Sequence, residues 1–272
     1  ESGSFAIAIR EPARPARAWA GMGKMRGKVH VGTSGWTYDH WLGRFYPREA
    51  KGESRLRQYA RTFRSVEINA SFYRLPTEKA MRCWLDETPE DFVFAAKTSR
   101  FITHMKRLLD PEIHIPIFFG RIQHLGPKLG PLLVQLPPKF AEDLDRLRRF
   151  CDHLPPGHRY TFELRHESWW TDEVFAFLHD RNLAFCLFHL AGRETPEIVT
   201  ADFVYIRLHG PGAAYQGSYD DTVLEHWRAR IETWRAEGRD VFIYFDNDEK
   251  AYAAEDARRL QAMLREGTPG TG

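Results

Sequence analysis

Eight short runs rich in β-branched and aromatic residues recur along the chain, separated by segments with helical apolar spacing. The runs are Val29–Gly32, Ser65–Ser71, Val93–Thr98, Pro131–Leu136, Tyr160–Arg165, Leu183–Leu190, Phe203–His209 and Val241–Asp246. Between and after them lie Arg55–Phe63, Glu78–Glu87, Pro116–Leu129, Ala141–His153, Asp172–Asp180, Asp221–Glu237 and Ala251–Arg265. Val223, Trp227, Ile231 and Trp234 illustrate the helical period. Asp172 and Asp221 are placed as N-caps, and Gly130 and Gly238 where a C-cap belongs. Strand–helix alternation demands parallel strands joined by crossovers, and eight such units close into a single (β/α)8 TIM-type barrel. The sixth unit is irregular, because Ala191–Thr200 holds Gly192 and Pro196 and is too short for a good helix. A doubly wound open sheet competes, but no Gly-x-Gly-x-x-Gly follows the first strand.

A chain of 272 residues suits one such domain, placed over residues 29–266. Residues 1–28, rich in Arg, Ala, Pro and Gly, read as a disordered basic arm, and residues 267–272 as a frayed tail. A net charge of +2 is too small for a general polyanion-coating protein, so any anion recognition must be local. Cys83, Cys151 and Cys186 form no Cys-x-x-Cys pair and read as interior residues of a cytosolic protein. No apolar run is long enough to span a membrane, and no membrane partner is expected.

The strands carry a second pattern. Alternate strand residues face opposite sides. If the apolar set faces the helices, the inward set contains Glu67, Asn69 and Ser71, then Lys97, Gln135, Glu163 with Arg165, Arg207 with His209, and Asp246. Val93, Phe242 and Tyr244 fall nearer the strand starts. The expected barrel has an apolar lower plug and a charged upper rim. Such a rim is either an ion-pair network that neutralises itself or a working site. Buried ion pairs are costly to desolvate, so charges kept where barrel active sites form favour the working site. Aromatic residues crowd the loops after the strands: Trp36, Tyr38 and Trp41, Phe72 and Tyr73, Trp169 and Trp170, Tyr215 and Tyr219. Together they can line a pocket that stacks on a base or sugar. Gly210, Gly212 and Gly217 make the loop after the seventh strand a pliable lid candidate.

Long ordered segments carry a family resemblance. They are Gly32-Thr33-Ser34-Gly35-Trp36 with Tyr38, Trp41 and Phe45-Tyr46-Pro47, Val66-Glu67-Ile68-Asn69 with Ser71-Phe72-Tyr73, and Lys97 with Thr103-His104. They continue with Gln135-Leu136-Pro137-Pro138-Lys139-Phe140, Glu163-Leu164-Arg165 with Ser168-Trp169, Arg207-Leu208-His209-Gly210, and Tyr244-Phe245-Asp246-Asn247-Asp248. Across residues 29–265 the chain resembles the YecE-like family, also called domain of unknown function 72. The resemblance implies a barrel and no assigned reaction. The family usually has Asn where this chain has Asp246, so this rim gains a negative charge.

Chemically, Glu67 and Glu163 suit acid–base work if their environments separate their pKa values, with His209 as a proton shuttle and Asp246 beside them. Lys97, Arg165 and Arg207 can clamp a phosphate or carboxylate. Asn69, His104, Gln135, Trp169, Tyr219 and Asn247 complete the candidate binding set. The leading expectation is an enzyme, a hydrolase of phosphate esters, acting on a small phosphate-bearing ligand, a nucleotide or a nucleic-acid phosphodiester. Barrel endonucleases of the endonuclease IV type offer a fold-level analogy only. They use a cluster of several His and carboxylates, whereas this rim has one inward His and three cations. No cofactor or metal cluster is therefore expected, and a single divalent ion is the most the rim leaves room for. Sugar isomerisation or glycoside hydrolysis is the second reading, and a non-catalytic barrel binding nucleic acid or a metabolite is the third.

Overall fold

The computed structural model describes residues 25–48 and 53–266. Strands β1 (Val29–Thr33), β2 (Ser65–Ile68), β3 (Val93–Lys97), β4 (Leu129–Leu136), β5 (Tyr160–Leu164) and β6 (Ala184–Leu190) are followed by a two-residue β7 (Arg193–Glu194). β8 (Phe203–Leu208) and β9 (Asp240–Phe245) complete the set. Apart from β7, which folds back antiparallel on β6, they run parallel in the order β1-β9-β8-β6-β5-β4-β3-β2, a nearly closed barrel. Closure between β1 and β2 is thin. It consists of the Ser34–Glu67 bridge, with Gly35 N–H donating to Glu67 O (2.9 Å), and a side-chain stitch from Tyr59. The Tyr59 hydroxyl accepts from Thr33 N–H (2.9 Å) and donates to Ser65 O (3.0 Å). The strands approach so closely here that a Cβ on Gly32 would stand 2.2 Å from Ser65 O.

Helices α1 (Arg55–Ala60), α2 (Ala70–Tyr73), α3 (Glu78–Glu87), α4 (Pro111–Ile122), α5 (Leu144–Asp152), α6 (Asp172–Asp180), α7 (Asp221–Ala236) and α8 (Tyr252–Glu266) complete the units. No helix joins β6 to β8, as Gly192 and Pro196 foretold. Caps differ from the sequence reading by one residue: Thr171 and Asp220, not Asp172 and Asp221, accept from the first-turn amides of Val174 and Val223. Gly238 ends α7 with φ 82°, but Gly130 lies inside β4 against Val93, where a Cβ would collide. The helix expected from Pro116 starts at Pro111 instead. Asp110 turns through a left-handed conformation (φ 52°), and Pro111 occupies the first turn, where its missing N–H costs nothing.

The strands separate two cores. Outward residues such as Val66, Phe94, Val134, Phe162, Ile206 and Ile243 pack under the helices. Inside the barrel, Ala95, Leu133, Ala184, Cys186, Phe203, Tyr205, Phe242 and Tyr244 form the lower plug. Cys151 and Cys186 are interior, whereas Cys83 is exposed, because α3 buries little beyond Met81. Residues 25–28, assigned by sequence to the arm, are held to the barrel: Gly27 N–H donates to Arg235 O (2.9 Å) and Lys28 N–H to Asp240 (2.8 Å). The rest of the arm and the tail lie outside the described residues. No described helix is long and apolar enough to cross a membrane.

Candidate functional site

The inward alternation delivers one hub at the carboxyl ends of the strands. Arg207, next to the end of β8, is fully buried. Its Nη1 donates to Glu163 Oε2 (2.6 Å), and its Nη2 donates to Glu67 Oε1 (2.8 Å) and Asp246 Oδ2 (3.1 Å). Four strands or their extensions thus meet on one planar donor, the geometry that distinguishes arginine from lysine. Burial alone would lower the pKa of Arg207, yet these carboxylates hold it well above the ordinary value.

Each carboxylate has further partners. Glu67 accepts from Ser34 Oγ (2.6 Å) and Tyr205 Oη (2.7 Å). Glu163 accepts from Arg165 Nε (2.5 Å). Burial pushes the Glu163 carboxyl up, but Arg165, Arg207 and His209 outweigh it and hold it well below the usual carboxylate range. Asp246 pairs with His209 Nδ1 (3.0 Å) and is likewise lowered despite burial, by that bond and by Arg207. The charge gained where the family usually has Asn is therefore absorbed by the hub.

Beside this ion-paired floor, in which Arg207 Nε is buried without a partner, stands a group of residues with fewer bonds. Lys97, at the end of β3, is 7% exposed, and its ammonium has no hydrogen-bond acceptor among the described residues. It rests 4.1 Å above the centroid of the Phe72 ring. Burial first, then Arg207, brings its pKa down to about 8, against the pull of Glu163, Asp246 and Glu67. The same Phe72 ring meets His104 edge-on at 4.9 Å. Burial, with Lys97 and Arg165, holds His104 down at about 4, so its imidazole is neutral near pH 7. Just past the end of β2 and on β4, the side-chain oxygens of Asn69 and Gln135 are buried without a partner. Arg165, whose side chain is 12% exposed, binds Glu163 through Nε. Among the described residues its outer edge meets only the Tyr215 hydroxyl, at 3.3 Å.

Trp169 and Tyr219, expected to face a ligand, are engaged in the scaffold, and Asn247 is engaged through its amide nitrogen while its Oδ1 is buried without a partner. Trp169 is fully buried and donates to Phe140 O (2.7 Å). Tyr219 accepts from Gly210 N–H (2.9 Å), and Asn247 Nδ2 donates to Gly217 O and Asp256 Oδ2 (2.8 Å each). These bonds pin the loop over residues 210–219. Gly210 (φ 119°) serves a turn so tight that a Cβ would meet Ala213 O at 2.5 Å, not pliability. The loop sets Tyr215, itself at φ 65°, edge-on to His209. Ser34 and Tyr205 are site residues that the sequence reading lacks, and Tyr215 stands in it only among the loop aromatics. Tyr205 has the parity of Arg207 and was readable; Ser34 and Tyr215 depend on loop paths that no periodicity encodes.

A sequence model described as "Protein of unknown function DUF72" matches residues 30–271. The chain belongs to the DUF72 family. Among curated DUF72-like relatives, UPF0759 protein YecE of Escherichia coli K12 is 31% identical over 139 residues. That alignment covers 51% of this chain and 48% of YecE, about half the length of the relative. UPF0759 protein YunF of Bacillus subtilis is 24% identical over 270 residues, covering 87% of this chain and 94% of YunF. A crystal structure of a DUF72 family protein from Thermotoga maritima superposes with a TM-score of 0.80 at 28% identity, covering 88% of this chain and 99% of that one. A DUF72 protein of Enterococcus faecalis shares the fold with a TM-score of 0.72 at 19% identity, covering 88% and 98%.

Proposed function

We propose that the carboxyl-end rim binds a phosphate-bearing substrate, with Arg165 as the phosphate anchor, Lys97 beside it and the Arg207 hub as a rigid floor. The observation that carries this reading is the division of charge. Three carboxylates, Glu67, Glu163 and Asp246, turn inward onto Arg207, while Lys97 has no acceptor and the outer edge of Arg165 has one long contact. An anion bound there would give both cations the charge-assisted hydrogen bonds they lack, and a guanidinium edge matches a phosphate in shape.

The same bonds weigh against Glu163 as the acid of a glycoside hydrolysis, a role that needs a carboxyl group carrying a proton near neutrality. Glu163 is held ionised by two arginines. Nor do the rim carboxylates gather as ligands: among the described residues no three His, Cys, Asp or Glu side chains converge on a point that would hold a metal ion.

Thermal melts at matched ionic strength test the reading. For a dissociation constant near 1 mM, 10 mM phosphate stabilises by about 1.4 kcal/mol, an upward shift of about 3–5 °C for a chain this size. Arg165→Ala should abolish the shift. Equal melting points in phosphate and chloride for the wild type would sink the proposal.

A further inference from the structure

We propose that Lys97 is a nucleophile that forms a Schiff base with the carbonyl carbon of a phosphate-bearing aldehyde or ketone. The inference rests on the rim being a phosphate site and adds to it the reacting group and the substrate class. Lys97 is the one buried lysine among the described residues. Other lysines with a fixed place have acceptors: Lys106 bonds Asp110 (2.9 Å), and Lys128 bonds Leu85 O and Thr88 O (2.8 Å each). Lys97 has only the face of Phe72. A nitrogen with no acceptor, between an apolar ring and the charged hub, suits a neutral amine better than an ammonium.

The charged groups around it act in both directions. Arg207 favours the free amine, while Glu163, Asp246 and Glu67 favour the ammonium, and burial tips the balance to a lowered pKa. With a pKa of about 8, roughly a quarter of the amine is free at pH 7.5, against about one part in a thousand for an ordinary lysine.

The surroundings supply the remaining parts of the reaction. The amine lone pair adds to the carbonyl carbon, and the carbonyl π pair moves to oxygen. Neutral His104, on the same Phe72 ring, takes the proton released from nitrogen and passes it to that oxygen, giving the carbinolamine. Loss of the second N–H proton and of hydroxide, together one water, leaves the imine. No oxidant or reductant enters. Asn69, just past the end of β2, and Gln135, on β4, stand either side of β3, and their unpartnered side-chain oxygens fit donors such as sugar hydroxyls. The substrate class is therefore a phosphorylated hydroxy-aldehyde or hydroxy-ketone.

Reductive trapping tests the assignment on the full chain. One equivalent of pyridoxal 5′-phosphate is added with cyanoborohydride, and the modified lysines are mapped by peptide mass spectrometry. Lys97 should carry at least ten times more adduct than any other lysine. Pyridoxal without its phosphate, Arg165→Ala, or excess inorganic phosphate should each reduce that adduct about tenfold. Lys97→Arg and Lys97→Met should both abolish it, the second guarding against a variant that folds poorly. Adducts scattered over surface lysines, with the Arg165-dependent phosphate shift intact, would overturn the nucleophile and leave the phosphate site standing. Labelling of Lys97 that ignores the phosphate group would overturn the proposed substrate class and the phosphate reading together.

Discussion

The two mouths of the barrel handle charge in opposite ways. At the amino end, a cavity of about 410 Å³ is lined by Lys28, His30, His158, Arg159 and Asp240 among others. Its ions pair locally: Arg159 binds Asp240 at 2.8 Å and lies over Phe203 and Phe242, and His30 stacks on Phe242 at 4.5 Å. At the carboxyl end, three carboxylates converge on one fully buried guanidinium, while Lys97 has no acceptor among the described residues and the side-chain oxygens of Asn69, Gln135 and Asn247 are buried without a partner. A cavity whose ions pair locally does not by itself mark the site; unmet polarity beside a rigid ion-paired floor does.

Removing the core of each mouth should sharpen that contrast most. Arg207→Met strands three carboxylates and should cost about 3–5 kcal/mol in denaturant unfolding, with the phosphate response altered as the floor rearranges. Phe242→Ala should cost a similar amount, about 3–5 kcal/mol, by opening the amino-end plug while leaving the phosphate shift intact. If Arg207→Met proved as stable as the wild type, the hub would not be a strut and the contrast would fail.

Glu163→Gln should come next. It keeps shape but weakens two bonds to charged partners, so a loss of about 1.5–3 kcal/mol with phosphate affinity retained is expected. Unchanged stability with affinity lost would move Glu163 from the floor to the binding surface.

Acid should then act on both mouths. Burial holds His30 and His104 down at about 4, so both are neutral in the fold near pH 7. The unfolded chain takes up protons near pH 6.5, before the folded one does, so their contribution is complete above pH 6.5 and is lost as pH falls towards 4. His30→Leu should flatten the amino-end share of that loss while leaving the phosphate response in place. An unchanged pH–stability slope in this variant would show that His30 is not the titrating group. The smallest effect should be that of Tyr215→Phe, about 0.5 kcal/mol or less for a 3.3 Å contact, read as a small change in phosphate affinity.

Strand parity made much of this legible in the sequence. Because side chains alternate with a period of two, Glu67, Lys97, Gln135, Glu163, Arg165, Arg207 and Asp246 could be placed inside the barrel before any coordinates. Which of them bond which could not, because a long side chain reaches across the lumen to partners far apart in sequence, as Arg207 does to Glu67. Trp169 and Tyr219 looked like ligand walls because an aromatic residue after a strand reads the same whether its polar atom faces a ligand or a backbone group. The start of α4 was misplaced for a local reason: two prolines, Pro111 and Pro116, both fit a first turn, and the left-handed Asp110 chose between them.

The thin closure between β1 and β2 has a mechanical consequence. Elsewhere neighbouring strands are laced by backbone ladders, but here one phenol, Tyr59, supplies both an acceptor and a donor across the gap. A closed barrel has no sheet edge to offer another chain; one that unzips has two. β1 and β2 are thus a latent pair of edges, and the amides around Thr33 and Gly35 should be among the first in the sheet to exchange with solvent when the barrel breathes. Glu67 lies on that same line, accepting Gly35 N–H through its backbone and Arg207 through its side chain. The hub thereby clamps the barrel shut where its lacing is weakest.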